Sequence, residues 1–309
     1  MALLQRLVSL ARVTTCSAVA PALASWLHPS SFPGVPAEFE NARQSGMSMV
    51  TAATKGGGAN ASLTGRLRVA AVGDLHCKQE PEGALRALFT QASERADVLL
   101  LCGDLTDCGA PEEALVLAGD VAAGARIPVI GVLGNHDYES GKAEQVKEVL
   151  AGGGVRILDG GACEIRGVGF AGVKGFAGGF GERALGPWGE DTIKQFVREA
   201  VEEALKLESA LGRLTTPQRI ALLHYSPIQE TLEGEAAVIF PFLGSSRLEE
   251  PLVRYPVTAV FHGHAHQGSL EGRTSTGIPV FNVSLPLLRE RRPGEPPFRI
   301  VEVEAAASA

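Results

Sequence analysis

Three short apolar runs in this chain break off in the same way, at a glycine followed by a carboxylate or an amide. Residues 68–76 end in Gly73-Asp74-Leu75-His76, residues 97–105 lead into Gly103-Asp104-Leu105-Thr106-Asp107, and residues 128–136 lead into Gly134-Asn135-His136-Asp137. Apolar runs of this length, bounded by glycine, read as buried strands. Segments of helical spacing separate them. Residues 81–96 carry Leu85, Leu88 and Phe89; Pro111 opens a second helix with Glu112 and Glu113 in its first turn; residues 143–150 form a third. Strand–helix alternation predicts a parallel sheet, and in such sheets functional groups gather beyond the carboxyl ends of the strands.

Further along, residues 190–211 give the clearest helical pattern, with Ile193, Phe196, Val197, Ala200, Val201, Ala204 and Leu205 on one face and Gly212 as the stop. Residues 219–224, 257–262, 278–283 and 298–303 read as strands, and their Gly/Pro punctuation suggests antiparallel additions. No repeat at solenoid spacing is present.

Composition narrows the class. Apolar residues make up 45% and charged residues 20% of 309, which fits an ordinary globular protein and excludes a disordered one. No apolar run reaches membrane-spanning length without a Pro, Ser or Thr break. The net charge of −7 argues against a general binder of nucleic-acid polymers or anionic membranes. The five cysteines show no zinc-type pairing and are too few for a disulfide scaffold, so a reducing compartment is the simpler reading.

The amino-terminal part reads differently. Residues 1–60 hold four basic residues (Arg6, Arg12, Arg43, Lys55) and two acidic ones (Glu38, Glu40). Residues 1–26 are rich in Ala, Leu and Ser and resemble a targeting leader, with Ala22-Leu23-Ala24 as a small-residue cleavage site; Arg12 and Pro21 interrupt the apolar stretch. An upstream start codon or a tail is the alternative. Residues 55–60 read as a Gly-rich linker. The expected organisation is a leader and linker over residues 1–65 and one folded domain over 66–309. Cytoplasmic location is the first expectation, and export or organellar targeting the alternative.

Six of the seven histidines fall at strand ends, and only His28 lies elsewhere. Asp and Asn oxygens with imidazole nitrogens suit Mn, Fe, Zn or Ni and lack the thiolates that softer metals favour. Asp74 and His76, like His264 and His266, stand at i and i+2, on one side of an extended segment. Asp74, His76, Asp104, Asn135, His224, His264 and His266 are too many ligands for one ion. They suit two ions sharing the two oxygens of Asp104, an arrangement that clamps phosphoryl oxygens with the ions ~3.5–4 Å apart.

Taken together, Gly73-Asp74-Leu75-His76, Gly103-Asp104-Leu105-Thr106-Asp107, Gly134-Asn135-His136-Asp137, His224 and Gly263-His264-Ala265-His266 resemble the calcineurin-like metallophosphoesterase superfamily over residues 66–304. The resemblance implies an α/β fold, a two-sheet sandwich flanked by helices (α/β/β/α), with two metal ions at the carboxyl ends of the strands. It implies one ion on Asp74, His76, Asp104 and His266, and the other on Asp104, Asn135, His224 and His264. His136 would protonate the leaving oxygen, oriented by the carboxylate of Asp107, while a hydroxide shared by the ions attacks phosphorus in line. Asp137 reads as a supporting or structural residue, Cys77 as packing, and His262 as either a support for the ligands or a strand residue bonded to backbone.

Departures from sub-families bear on the substrate. Asp107 stands where purple acid phosphatases carry a tyrosine, and Cys108-Gly109 and Leu133 replace the arginines that mark protein Ser/Thr phosphatases. The implied activity is hydrolysis of a small or nucleotide phosphodiester. A monoesterase is the alternative, and a non-catalytic metal-binding scaffold is disfavoured because the ligand set is complete. Specificity is expected from residues 167–181, with Lys174, Phe176 and Phe180, read either as a phosphate-facing loop with one cation or as a bulged strand and turn, and from residues 226–247, with Phe240, Pro241, Phe242 and Arg247. No partner beyond a small phosphoester is implied, and nothing in the sequence sets an oligomeric state.

Overall fold

A computed structural model of the protein describes residues 65–305, and the leader and linker expected over residues 1–65 fall almost wholly outside them. The first sheet has the order β11-β1-β2-β3-β4, with β1 (Gly65–Val72), β2 (Val98–Cys102), β3 (Val129–Val132) and β4 (Val155–Ile157) parallel and β11 (Arg299–Ala305) antiparallel to β1. The second has the order β5-β6-β7-β8-β10-β9: β5 (Gly161–Ile165), β6 (Val168–Gly172), β7 (Gln218–Leu222), β8 (Ala259–His262), β10 (Pro279–Asn282) and β9 (Glu271–Arg273).

The late strands differ from expectation in direction. β7 and β8 run parallel to both neighbours and β10 runs parallel to β8, while the antiparallel additions are the sheet edges β5, β9 and, as expected for residues 298–303, β11. Burial on both faces explains this. A strand covered on both sides gives the continuous apolar run typical of a parallel sheet, whatever punctuates its ends.

Alternation along the strands builds the layers. In β6, β7 and β8, Phe170, Ile220, Leu222 and Phe261 enter the core shared with Leu67, Val69, Leu99 and Leu101 of the first sheet. Their neighbours Ala171, Ala221, Leu223 and Val260 turn the other way, as the two-residue period of a strand requires. Helices α1 (Arg86–Arg95), α2 (Pro111–Gly124) and α3 (Ala143–Gly152) contribute Leu88, Phe89, Leu117, Val121, Val146 and Leu150 to the first core, and α4 (Asp191–Arg213) contributes Leu207, Ala210 and Leu211 to the second. Short helices α5 (Phe240–Leu243), α6 (Glu249–Arg254) and α7 (Leu285–Arg291) complete the chain. The fold is the expected α/β/β/α sandwich.

Helix α4 corrects two details. It runs through Gly212 to Arg213, and its buried stripe is Val197, Ala200, Glu203, Leu207, Ala210 and Leu211, while Val201 and Leu205 face solvent. The stripe is rotated because Glu203 points inward, where its carboxylate accepts the Gly175 N–H (2.8 Å) and the Lys206 ammonium (2.7 Å).

Candidate metal centre

The turns that follow β1, β2, β3, β7 and β8 converge at one end of the two sheets. Close packing there explains the recurring glycine. A Cβ on Gly134 would lie 2.2 Å from the amide nitrogen and from Oδ1 of Asp104, and a Cβ on Gly263 would lie 2.3 Å from Oδ2 of Asp74. A methyl group at either position would sit where a carboxylate oxygen belongs.

The polar residues themselves are held in a costly conformation. Five described residues other than glycine have positive φ, and four of them are Asp74 (55°), His76 (44°), Asp104 (47°) and His264 (71°). Such backbone costs ~1–3 kcal/mol per residue and persists where surrounding structure over-determines it, typically at functional sites.

The side chains fall into three overlapping sets whose ligand atoms lie within 4.8 Å of one another: Asp74, His76 and His266; His76, Asp104 and His136; Asp104, His224 and His264. Asp104 faces two ways. Its Oδ2 lies 3.9 Å from Nε2 of His76, and its Oδ1 lies 3.3 Å from Nε2 of His224. Asp74 accepts a contact from Nε2 of His266 at 3.0 Å and, through both oxygens, the N–H of His264 at 3.0 Å. Asn135 places Oδ1 2.9 Å from Nε2 of His224. All seven residues anticipated as ligands are therefore in one cluster.

Two observations show that these residues fit metal ions. Nε2 of His76 is buried and has no hydrogen-bond partner. Nδ1 of His224 lies 3.1 Å from the carbonyl of Cys102, and Nε2 lies 2.9 Å from Oδ1 of Asn135 and 3.3 Å from Oδ1 of Asp104. A ring nitrogen and two oxygens converging on one point are a donor set that a cation can occupy. A carbonyl that fixes the far nitrogen of a ligating histidine is the usual orienting contact in metal sites.

Electrostatics agrees with that reading. Burial lowers the pKa of His76 and drops that of His264 to about 3, so both rings stay neutral with a lone pair to offer. Burial pushes the Asp74 carboxyl upward, but the hydrogen bond from His266 leads the opposing effects, and the net direction is down. His266 moves the other way, raised by its hydrogen bond to Asp74.

His136 and Asp107 meet differently from expectation. Nδ1 of His136 donates to the main-chain carbonyl of Asp107 at 2.7 Å, and Glu139 Oε2 stands 3.6 Å away. The carboxylate of Asp107 turns instead toward Nδ1 of His76 (3.7 Å) and the ammonium of Lys78 (3.6 Å). For His136, burial lowers the pKa, but Asp104, the Asp107 carbonyl and Glu139 together raise it above the ordinary value.

Asp137 has the supporting role expected of it. Fully buried, it accepts the N–H groups of Leu105 (3.2 Å), Thr106 (2.8 Å) and Gly134 (2.8 Å) and the Thr106 hydroxyl (2.6 Å). It staples the turn carrying Asp104 to the turn carrying Asn135 and His136. Its adjacency to His136 was the available signal. His262 is buried with Nδ1 and Nε2 engaged by the Gly263 carbonyl and the Thr231 hydroxyl, both at 2.8 Å, and burial lowers its pKa to about 4. Cys77 is buried packing, its thiol pushed to about 12 by burial.

Of the two segments expected to shape specificity, the first meets the cluster through its main chain, where the Lys174 carbonyl accepts the His224 N–H at 3.0 Å. Lys174 donates to the Gly175 carbonyl at 2.8 Å and lies over the ring of Phe176 (4.7 Å), with Tyr138 and Tyr225 each 5.5 Å off. That matches a strand and turn rather than a phosphate-facing cation. The second segment reaches the site, because the Phe242 carbonyl lies 3.2 Å from Nε2 of His264. Arg247 is committed to the Leu185 carbonyl at 2.8 Å. Tyr225, which sequence reasoning passed over, packs its ring 4.5 Å from that of His264.

Among the described residues no helix is long and apolar enough to cross a membrane. The sequence matches the family model for calcineurin-like phosphoesterase over residues 67–268. No curated protein in the comparison matches it. Among solved structures, phosphopantetheinyl hydrolase from Mycobacterium tuberculosis is similar at a TM-score of 0.55 and 16% identity, with 75% of this chain and 95% of that one covered. The protein TT1561 of Thermus thermophilus is similar at 0.46 and 18%, with 77% and 98% covered. At these identities the first likeness is one of fold.

Proposed function

Because this chain belongs to the calcineurin-like phosphoesterases, which makes it a metal-dependent phosphoric ester hydrolase, we propose that its strand-end cluster holds two transition-metal ions and cleaves a small phosphodiester. One ion is assigned to Asp74, His76, Asp104 and His266, and the other to Asp104, Asn135, His224 and His264. The catalytic domain is assigned to residues 66–309. The observation that carries this reading is the double aspect of Asp104, whose two oxygens face imidazoles from different sheets.

When bound, the ions supply positive charge that draws in phosphoryl oxygens and lowers the pKa of water. The protein's own groups do the rest. Asp104 and Asp74, both buried, are the anionic floor that balances that charge. His224 and His264 are fixed from behind by the Cys102 and Phe242 carbonyls, and so present their remaining nitrogens without rotamer freedom. His136 holds its Nδ1 proton on the Asp107 carbonyl. Its Nε2, with the raised pKa noted above, is the atom that gives a proton to the departing alkoxide. Proton donation is assigned to His136, and Asp107 orients it through the main chain.

A paired assay tests the proposal. Purified protein with Mn, Fe, Zn or Ni added back should turn over bis(4-nitrophenyl) phosphate faster than 4-nitrophenyl phosphate and carry about two ions per chain. One ion per chain in fully active protein is incompatible with the two-ion assignment. A preference for the monoester would move the substrate class to phosphomonoesters at the same site.

A further inference from the structure

Three large apolar side chains that stand exposed lie on one stretch: Val238 (81%), Ile239 (37%) and Phe242 (62%). The surrounding sequence, Ala-Ala-Val-Ile-Phe-Pro-Phe-Leu-Gly over residues 236–244, has no polar side-chain atom. Contiguous exposed apolar surface of this kind usually marks a binding site. The stretch is firmly seated. Leu243 is buried with Leu232 and Ala265, and Phe240 and Phe180 pack against them. The Pro241 carbonyl accepts the Gly178 N–H at 2.8 Å, and the Leu243 carbonyl accepts the Ser226 N–H at 3.0 Å. Inward residues anchor the strip, and outward ones are held up to solvent.

Its position is the second observation. The Phe242 carbonyl sits 3.2 Å from Nε2 of His264, and Ala265, which packs under the strip, is the next residue in the chain. The strip therefore adjoins the candidate metal centre at Phe242.

We propose that the strip at Val238, Ile239 and Phe242 receives an ester group of the substrate, and that this group comes from an aliphatic alcohol. The inference rests on the phosphoesterase reading above and names its substrate class. A phosphate bound at the cluster places an ester substituent against a surface that adjoins it, and on the His264 side that surface is hydrocarbon. A nucleoside suits it poorly. Recognition of a base uses donors and acceptors along its edge, yet the side chains of this strip provide none, and the Pro241, Leu243 and Phe242 carbonyls are all engaged. An alkyl chain requires no such partners and gains about fourfold in affinity for each methylene it buries.

The test uses the full-length, metal-loaded protein with methyl-, butyl- and octylphosphonate, measured by calorimetry and as inhibitors of bis(4-nitrophenyl) phosphate hydrolysis. Affinity should rise at least about 30-fold from methyl to octyl, less than full burial of seven methylenes would give. Val238→Ser and Phe242→Ser should each cut that ratio several-fold. Leu115→Ser, at an exposed apolar residue of α2 (51%), should leave it unchanged. Both strip positions are solvent-facing, and melting curves will show that the variants fold. Equal affinity for the three phosphonates, with methylphosphonate still competitive, overturns the proposal and leaves the phosphoesterase reading standing. Tighter binding of a nucleoside phosphonate than of octylphosphonate overturns it as well. So does a flat phosphonate series accompanied by phosphatidylcholine vesicle binding that Val238→Ser abolishes, which would make the strip a lipid-surface contact. Failure of every phosphonate to bind and of every ester to turn over would sink the phosphoesterase reading and this inference together.

Discussion

Asp104 has more to do than any other residue in this chain. It faces His76 with one oxygen and His224 with the other, accepts the His136 N–H at 2.9 Å, and stands in left-handed backbone. Replacing it with alanine removes an oxygen from both assigned ion positions. Asp104→Ala should abolish turnover and lower metal content at both positions, as read by elemental analysis; normal turnover would refute the bridging role. His136 is separable from the ligands. His136→Ala should keep the metal content and cut the rate by ~10²–10⁴, as for loss of a general acid. The loss should be steep for poor leaving groups and shallow for activated ones such as 4-nitrophenolate, and a uniform loss would assign His136 to binding. At this scale the clustering was legible, because oxygen and imidazole donors recur at strand ends, and the glycines before Asp74, Asp104, Asn135 and His264 are imposed by crowding. The Asp107–His136 contact was not legible. Spacing brings the two residues together but does not distinguish a carbonyl from a carboxylate as the acceptor.

Elements set where these residues meet. The strand ends converge because β1, β2 and β3 are parallel and in register, and the parallel set β6, β7 and β8 is stacked behind them. Between the turns after β2 and β3, the staple is Asp137. Its carboxylate accepts three N–H groups and a hydroxyl. In Asp137→Asn one oxygen becomes an NH₂ facing other donors, so a buried N–H is left unsatisfied. The expected cost is about 1–3 kcal/mol, read as a lower urea midpoint, with a drop in kcat because Asn135 and His136 ride on the same turn. Unchanged stability would show that the staple is dispensable. Strand existence was readable from apolar runs, and strand direction was not. Direction depends on which neighbour a strand finds across the sheet, and a run buried on both faces looks the same either way. The rotated stripe of α4 has a similar cause. A glutamate counts as polar in any local pattern, and only the distant Gly175 N–H shows why Glu203 is inside.

At the scale of the whole molecule, acid stability follows from two carboxylates remote from the metal cluster. Hydrogen bonds from Arg68 hold the Asp97 carboxyl below its ordinary value. For Asp159, burial pushes upward, but Lys206 and Lys147 outweigh it and the net direction is also down. A depressed folded-state pKa means that the unfolded chain binds more protons in acid. The stabilisation is therefore complete above the ordinary carboxylate pKa of ~4 and lost as pH falls through the lower folded values. The double variant Asp97→Asn/Asp159→Asn should have a lower urea midpoint than the parent at pH 7, with the gap narrowing below about pH 4. A gap independent of pH would mean that charge at these sites contributes nothing.

One last feature concerns how the described chain closes on itself. Gly65 pairs with Ala305 across β1 and β11, and β1 runs from there toward Asp74. First and last described residues are thus lateral neighbours at the pole of the sandwich remote from the chemistry. In a variant without residues 1–64 and 306–309, joining Gly65 to Ala305 by a short linker and opening the polypeptide elsewhere would reorder the gene while keeping the pairing of β1 with β11. Such a rearranged protein could be grafted at that pole to a sensor or a surface with its reactive face still turned outward.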